Sequence, residues 1–254
     1  MEYWCIGNNE NGTGFIIVFL LAVLPTLISS TPIPTSRFEH WRSPCTGPEA
    51  ASQDIPDFNF PDFTPPTPSL PRTISELVFQ MKETRDKVQE LKHNYTELRV
   101  HQGDCENNLE APYLRLDGFP STPAFRGAMR MISEMNLTDI LLTDYRKLSV
   151  VMIFVEQVRW DEEVYERDQF TPILNNIFQG LKSILCVLSN ALTTQGSKVT
   201  DFVNRTHSMN QRYRTMSRTD NHDRDYIIMR ESFKLFGNMI LKYTALKDFL
   251  SNPN

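Results

Sequence analysis

The chain is poor in the residues from which catalytic and nucleic-acid-binding sites are usually made. Its ten glycines are scattered singly, so none of them builds the glycine-rich loop that cradles phosphates. Neither HExxH nor GxSxG occurs, which leaves no zinc-protease helix and no nucleophile elbow. Lys and Arg total 26 against 31 Asp and Glu, a formal net charge of −5. That balance argues against nucleic acid or anionic lipid as a principal partner, because both require clustered cations. The five histidines, His40, His93, His101, His207 and His222, lack the spacing of a zinc site and read as ordinary solvated residues. No cofactor, metal site or enzyme activity is expected.

Long apolar runs are also scarce. The exception lies near the N-terminus, "FIIVFLLAVLPTLISS". Phe15 to Ile28 is 14 residues, and a helix of that length reaches only about 21 Å, short of the roughly 30 Å of a bilayer core. The run therefore reads as a signal-peptide core within residues 1–30, with Ser30 before the cut. Glu2 and Glu10 without a leading Lys or Arg are unusual there, and an uncleaved type II membrane anchor is the alternative. Secretion to the extracellular space is the expectation, and two further features point the same way. Sequons stand at Asn94, Asn136 and Asn204. The four cysteines become three once Cys5 leaves with the signal: Cys45, Cys105 and Cys186. An odd number in an oxidising compartment leaves one as a free thiol or as a bond to another secreted chain.

Residues 31–71 are rich in proline, which removes backbone donors and biases its predecessors away from helix, and read as an irregular N-terminal arm. Its Trp41, Phe58, Phe60 and Phe63 either dock on a core or stay free. From residue 72 to 254 apolar residues recur at helical spacing. A first helix opens on Thr73 and Glu76 as a capping box and closes near Gly103, with Ile74, Leu77, Met81, Val88, Leu91, Tyr95 and Leu98 inward. A second runs from Thr122 to Trp160, bent near Asn136, with Leu137, Leu141, Tyr145, Leu148, Met152 and Val155 on one face. The acidic stretch holding Asp161, Glu162, Glu163 and Glu166 reads as a solvated connection. A third helix opens on Thr171-Pro172 and closes near Gly196, with Phe170, Leu174, Ile177, Leu181, Ile184, Leu188 and Ala191 in its row. Cys186 turns away from that row and is available to Cys105 or Cys45. Residues 197–222 read as a polar connection with room for a short helical piece.

The last helix, "SFKLFGNMILKYTALKDFL", has Met229, Phe233, Phe236, Ile240, Tyr243, Lys247 and Leu250 on one stripe. A second row, Ile228, Leu235, Met239, Leu246 and Phe249, widens the apolar face. "HDRD", His222 to Asp225, reads as the cap and dipole complement of this helix. A twenty-residue helix spans roughly 30 Å, and extended chain recrosses it in about nine residues. The first and last connections exceed that length and the middle one does not. Long, short, long predicts an all-α, up-up-down-down four-helix bundle with two long crossover loops, a plain up-down bundle being the alternative.

Two stretches carry a family resemblance. "DYIIMRESFKLFGNMILKYTALKDFL" resembles the final helix of the ciliary neurotrophic factor and cardiotrophin-like members of the interleukin-6 family. "YRKLSVVMIFVEQV" resembles the second half of helix B in the same proteins. The resemblance covers about Thr73 to Leu250 in pattern and element order. It implies a long-chain four-helix cytokine that assembles class I receptor chains of the glycoprotein-130 type and activates JAK/STAT signalling. It also implies receptor faces on the exposed sides of the first and third helices, around the loop after the first with the end of the fourth, and at the start of the fourth. The exposed positions expected there are Arg85, Lys92, Gln179, Lys182, Tyr226 and Arg230. "SRTDNHDRDY" lacks the Phe-x-x-Lys signature that several relatives carry before the last helix, so the resemblance does not extend to the receptor chain that reads it. Two other readings fit the same composition: a secreted carrier enclosing an apolar ligand among Phe170, Phe178, Phe233 and Phe236, and a membrane-anchored helical adhesion protein.

Overall fold

The computed structural model describes residues 39–46, 69–100, 104–121, 136–166 and 168–251. The apolar run, Phe58, Phe60, Phe63, the Thr122-Pro123 opening and Gly103 lie outside them. Everything described from His40 onward belongs to one unit. Among the described residues the secondary structure is all helical, with no strand. Four long helices carry it: α1 (Leu70–Arg99), α3 (Leu137–Tyr165), α4 (Thr171–Thr194) and α6 (Arg218–Ser251). Two short ones, α2 (Asp104–Leu109) and α5 (Arg205–Ser208), and a 3-10 turn at Gln211–Arg214 lie in the connections. None of the described helices is long and apolar enough to cross a membrane.

The helix rows expected from periodicity form the core. Every residue of the α4 row from Phe170 to Ala191 is buried, as are Ile74 to Tyr95 of the α1 row. At about 1.5–3 kcal/mol for each fully buried aliphatic or aromatic side chain, these rows are the main source of stability. Several boundaries differ from expectation. α1 starts at Leu70 with Ser69 as N-cap and proline in its first turn, so Thr73 sits inside the helix, its Oγ1 donating to the Ser69 carbonyl. Asn136 is the N-cap of α3, its side chain accepting from the Thr138 N–H at 2.9 Å; the chain from Thr122 up to it lies outside the described residues. The close of α4 is as read: Gly196 takes φ +70 and donates to Thr193, and Ser197 donates to Leu192, the pair of bonds of a Schellman cap.

α3 departs most from its expected single face. From Leu148 to Val158 each residue is buried. Helices α4 and α6 cover two sides, and the connections cover the rest. Phe119 and Tyr213 pack on Phe154, and Arg205 pairs with Glu156. A helix enclosed all round needs apolar residues all round, which is why "LSVVMIFV" shows no polar stripe.

Part of the arm completes this enclosure. Trp41 is fully buried, its indole N–H donating to the Val203 carbonyl at 3.0 Å while the Tyr145 hydroxyl donates to the Trp41 carbonyl. Four residues on, Cys45 is bonded to Cys186 of α4, which decides between the two partners open to Cys186. The segment 40–46 thus docks on the helices instead of standing apart as arm.

The long helices pair in a ring: α1 packs along α6 and α4, and α3 along α4 and α6. Where α1 and α4 cross, Gly180 faces Thr84, and a Cβ there would lie 2.3 Å from Thr84 Oγ1. Contacts between helix ends set the directions. Tyr95, late in α1, meets Asp225, early in α6. Arg99 meets Glu162, late in α3, and Tyr95 stacks near Phe170, at the start of α4. The ends of α1 and α3 and the starts of α4 and α6 therefore converge.

Candidate functional site

That convergence holds the densest polar chemistry among the described residues. α3 runs on to Tyr165, so the acidic stretch expected to be a solvated connection is its last turn. Carboxylates at a helix C-terminus oppose the macrodipole; the last turn of α3 holds no basic residue, and from within the helix Arg159 pairs with Glu163. Cations from the other helices meet Asp161, Glu162 and Glu166. Arg99 of α1 grips Glu162 with two parallel bonds of 2.7 and 2.9 Å, and Glu162 also accepts the Phe170 N–H that opens α4. The Arg99 guanidinium lies over the Phe170 ring at 4.5 Å and the Tyr95 ring at 4.9 Å.

Two further nodes come from α6. It begins at Arg218, well before the expected start, so "HDRD" is not a cap but lies in the second turn, facing its neighbours. Arg218 forks onto Glu166 with two bonds of 2.6 Å, and His222 Nε2 lies 3.0 Å from the same carboxylate. The Arg218 hydrogen bonds, against some burial and with help from His222, hold the Glu166 carboxyl down at about 2. His222, expected to be solvated, is partly buried, and burial lowers its pKa against the pull of Glu166. Deeper in, Arg224 donates to Asp161 at 2.7 Å, to Asp225 at 2.8 Å and to the Tyr213 carbonyl. Tyr95 donates to Asp225 at 3.1 Å, and Gln157 donates to Asp161. Burial outweighs Arg224 and pushes the Asp225 carboxyl up to about 6; Asp161 is raised for the same reason. Around this end Leu98, Val164 and Tyr165 are each more than half exposed. Leu98 therefore leaves the inward row to which periodicity assigned it.

The stripe counted upstream from Met229 in the same steps passes Tyr226, His222 and Thr219, which is next to Arg218. That polar continuation of a buried row was the available sign of the node. Nothing in the sequence linked it to the distant Arg99, Asp161, Glu162 and Glu166.

The six expected contact residues fall in unlike settings. Arg85 is half-buried, pairs with Asp86 and lies 5.8 Å from the Phe233 ring centroid. Lys92 is half-buried, pairs with Glu110 and lies 5.2 Å from the Tyr226 centroid. On α4, Gln179 is exposed and Lys182 half-buried. Tyr226 and Arg230 were expected on the surface and are 0% and 1% exposed. The early start of α6 moves both from the helix tip into its third and fourth turns, where the chain after α2 covers them. There the Tyr226 hydroxyl donates to Glu110 at 2.6 Å. Arg230 donates to the carbonyls of Leu109, Ala111 and Leu114 and to Glu231. Side chains at these positions cannot touch a partner while so covered.

Asn136 and Asn204 are exposed, each accepting from the N–H two residues on, and Asn94 is half-buried on α1. The side chain of Cys105 and all of Cys5 lie outside the described residues. Phe170, Phe178 and Phe236 are buried in one hydrophobic core, with Phe233 packed against it; Phe178 stacks edge-on with His40 and under Arg159, and Phe233 sits by Arg85. A surface groove of about 290 Å³ lies elsewhere, between the start of α3 and the chain after α4, bordered by Leu142, Tyr145, Arg146 and Asp201. Among the described residues no group of three His, Cys, Asp or Glu side chains is placed to hold a metal ion. No protein-family model, curated protein or solved structure matches the chain.

Proposed function

We propose that this chain is a secreted, glycosylated helical cytokine that assembles class I receptor chains of the glycoprotein-130 type and so triggers JAK/STAT signalling. In this reading residues 1–30 are a signal peptide, residues 72–254 form an up-up-down-down bundle, and Asn94, Asn136 and Asn204 carry glycans. One observation carries it: the ends of α1 and α3 meet the starts of α4 and α6. With two long crossovers, the first and second long helices run the same way and each is flanked by the third and fourth. The pairing of α1 with α6 and α4, and of α3 with α4 and α6, is what that arrangement requires. The links fit it too, long from Arg99 to Leu137 and from Thr194 to Arg218, short from Tyr165 to Thr171.

A ligand of this kind works by presenting separate rigid surfaces to separate receptor chains. The ion-paired helix ends, rimmed by Leu98, Val164 and Tyr165, supply one such surface, and the outer side of α4 with Gln179 and Lys182 supplies another. The test is to apply the purified full-length secreted protein to cells of the same source and follow STAT tyrosine phosphorylation over minutes. A rapid, saturable rise is expected. A flat response in cells whose receptors of this class answer another ligand would overturn the reading.

A further inference from the structure

Arg230 and Tyr226 hold a loop. The eight residues from Leu109, the last of α2, to Leu116 have buried leucines at both ends. Between them the chain turns twice, Ala111 N–H donating to Asn108 and Leu114 N–H to Ala111. Beneath it, Arg230 donates to three backbone carbonyls spread along the loop, those of Leu109, Ala111 and Leu114. Glu110 is fixed from two sides, by the Tyr226 hydroxyl and by Lys92. Just beyond, the Asp117 N–H donates to the Tyr213 hydroxyl at 2.9 Å. Gly118 takes φ +85 with its missing Cβ against the Ser208 carbonyl, so only glycine fits there. Burying a guanidinium to grip a connection in this way costs desolvation.

What the grip presents is an aromatic side chain. Tyr113, at the crest, is 78% exposed, the most exposed large apolar or aromatic residue among those described. Arg115, two residues on, is exposed beside it. Tyr and Arg are the residue types that dominate binding hot spots, and an aromatic ring on a loop already held in place loses little freedom on docking.

We infer that Tyr113, with Arg115, is the anchor by which this chain docks on a protein partner, in a pocket with apolar walls and a carboxylate at its edge, and that Arg230 and Tyr226 are positioning residues for it. The inference rests on the receptor-ligand reading above, and it relocates the contact from the two buried residues to the loop they hold.

The experiment measures binding of the labelled full-length protein to responsive cells, next to thermal unfolding of each variant. Tyr113→Ala leaves the unfolding midpoint in place and weakens binding about 30-fold, the loss of one hot-spot side chain. Tyr113→Phe keeps most of the binding. Arg230→Lys keeps the charge but cannot span three carbonyls, and it weakens binding at least about tenfold if the loop must be held. In a Tyr113→Ala background the same Arg230→Lys change has little further effect on binding while still lowering the midpoint. A residue with a merely structural role would give equal effects in both backgrounds. Unchanged binding by Tyr113→Ala overturns the inference and leaves the receptor-ligand reading intact. Absence of saturable binding by the unaltered protein overturns that reading itself.

Discussion

Replacing Arg224 by methionine tests how the converging helix ends are held. The arginine is 1% exposed and shares its guanidinium between Asp161 and Asp225, themselves 4% and 3% exposed. Methionine fills similar space without charge and leaves two buried carboxylates facing each other, with only Tyr95 and Gln157 donating to them. Removing one partner of a buried pair typically costs about 3–5 kcal/mol. Acidity should relieve that loss. Asp225 already stands at about 6 against an ordinary 3.8, and without Arg224 both carboxyls rise further. A group whose folded pKa is raised stabilises the protein below its unfolded pKa, and that stability is lost as pH rises through the folded value. For Asp225 the window runs from 3.8 to about 6 in the unaltered protein and extends upward in the variant. Urea unfolding followed by circular dichroism should therefore show a loss of about 3 kcal/mol or more at pH 7 and a clearly smaller one at pH 5. Asp225→Asn should flatten the unaltered protein's pH dependence between 4 and 6 by removing that titration. A loss below about 1 kcal/mol at pH 7, or an equal loss at both pH values, would refute the reasoning.

Two other predictions concern packing and the covalent tie. Gly180→Ala and Gly237→Ala are the same chemical change in two long helices, and their effects should have opposite signs. At Gly180 the new Cβ meets Thr84 Oγ1 at 2.3 Å, whereas at Gly237 nothing lies within 4 Å. Thermal unfolding should show Gly180→Ala destabilised by about 1–3 kcal/mol, partly restored by Thr84→Ala, and Gly237→Ala stabilised by about 0.5–1 kcal/mol; shifts of the same sign would contradict the helix packing. The double variant Cys45→Ser/Cys186→Ser opens a link across 141 residues. Chain entropy sets that at about 4–5 kcal/mol, and the same unfolding curves should show a loss of that order together with Trp41 fluorescence moving toward that of solvated indole.

The helix rows were legible because burial on one side of a helix writes a period of about 3.6 into the sequence. For that reason Phe170 to Ala191 and Ile74 to Tyr95 stand where periodicity put them. The stop of α4 was legible because Gly196 marks a left-handed residue. What could not be read was whatever depended on a distant partner. Asp161, Glu162 and Glu166 look like solvent-facing acid until Arg99, Arg218 and Arg224 are brought to them. Trp41 and Cys45 sit in a proline-rich stretch with no period, and their docking depends on Val203 and Cys186, both more than a hundred residues away. Tyr226 and Arg230 read as surface residues because the apolar stripe of α6 sets in only after its polar first turns. Polar residues from Arg218 to Asp225 hide a helix whose second turn is buried by ion pairing, and hydropathy does not register that kind of burial.

The central claim is that this chain is a ligand for class I receptor chains, and reconstitution tests it most directly. Receptor chains of that class from the same source would be expressed in cells that lack them, and STAT tyrosine phosphorylation measured within minutes of adding the purified secreted protein. The account predicts a saturable signal that appears only when the receptor chains are present. No signal at any concentration, with the same chains responding to another of their ligands, would contradict it.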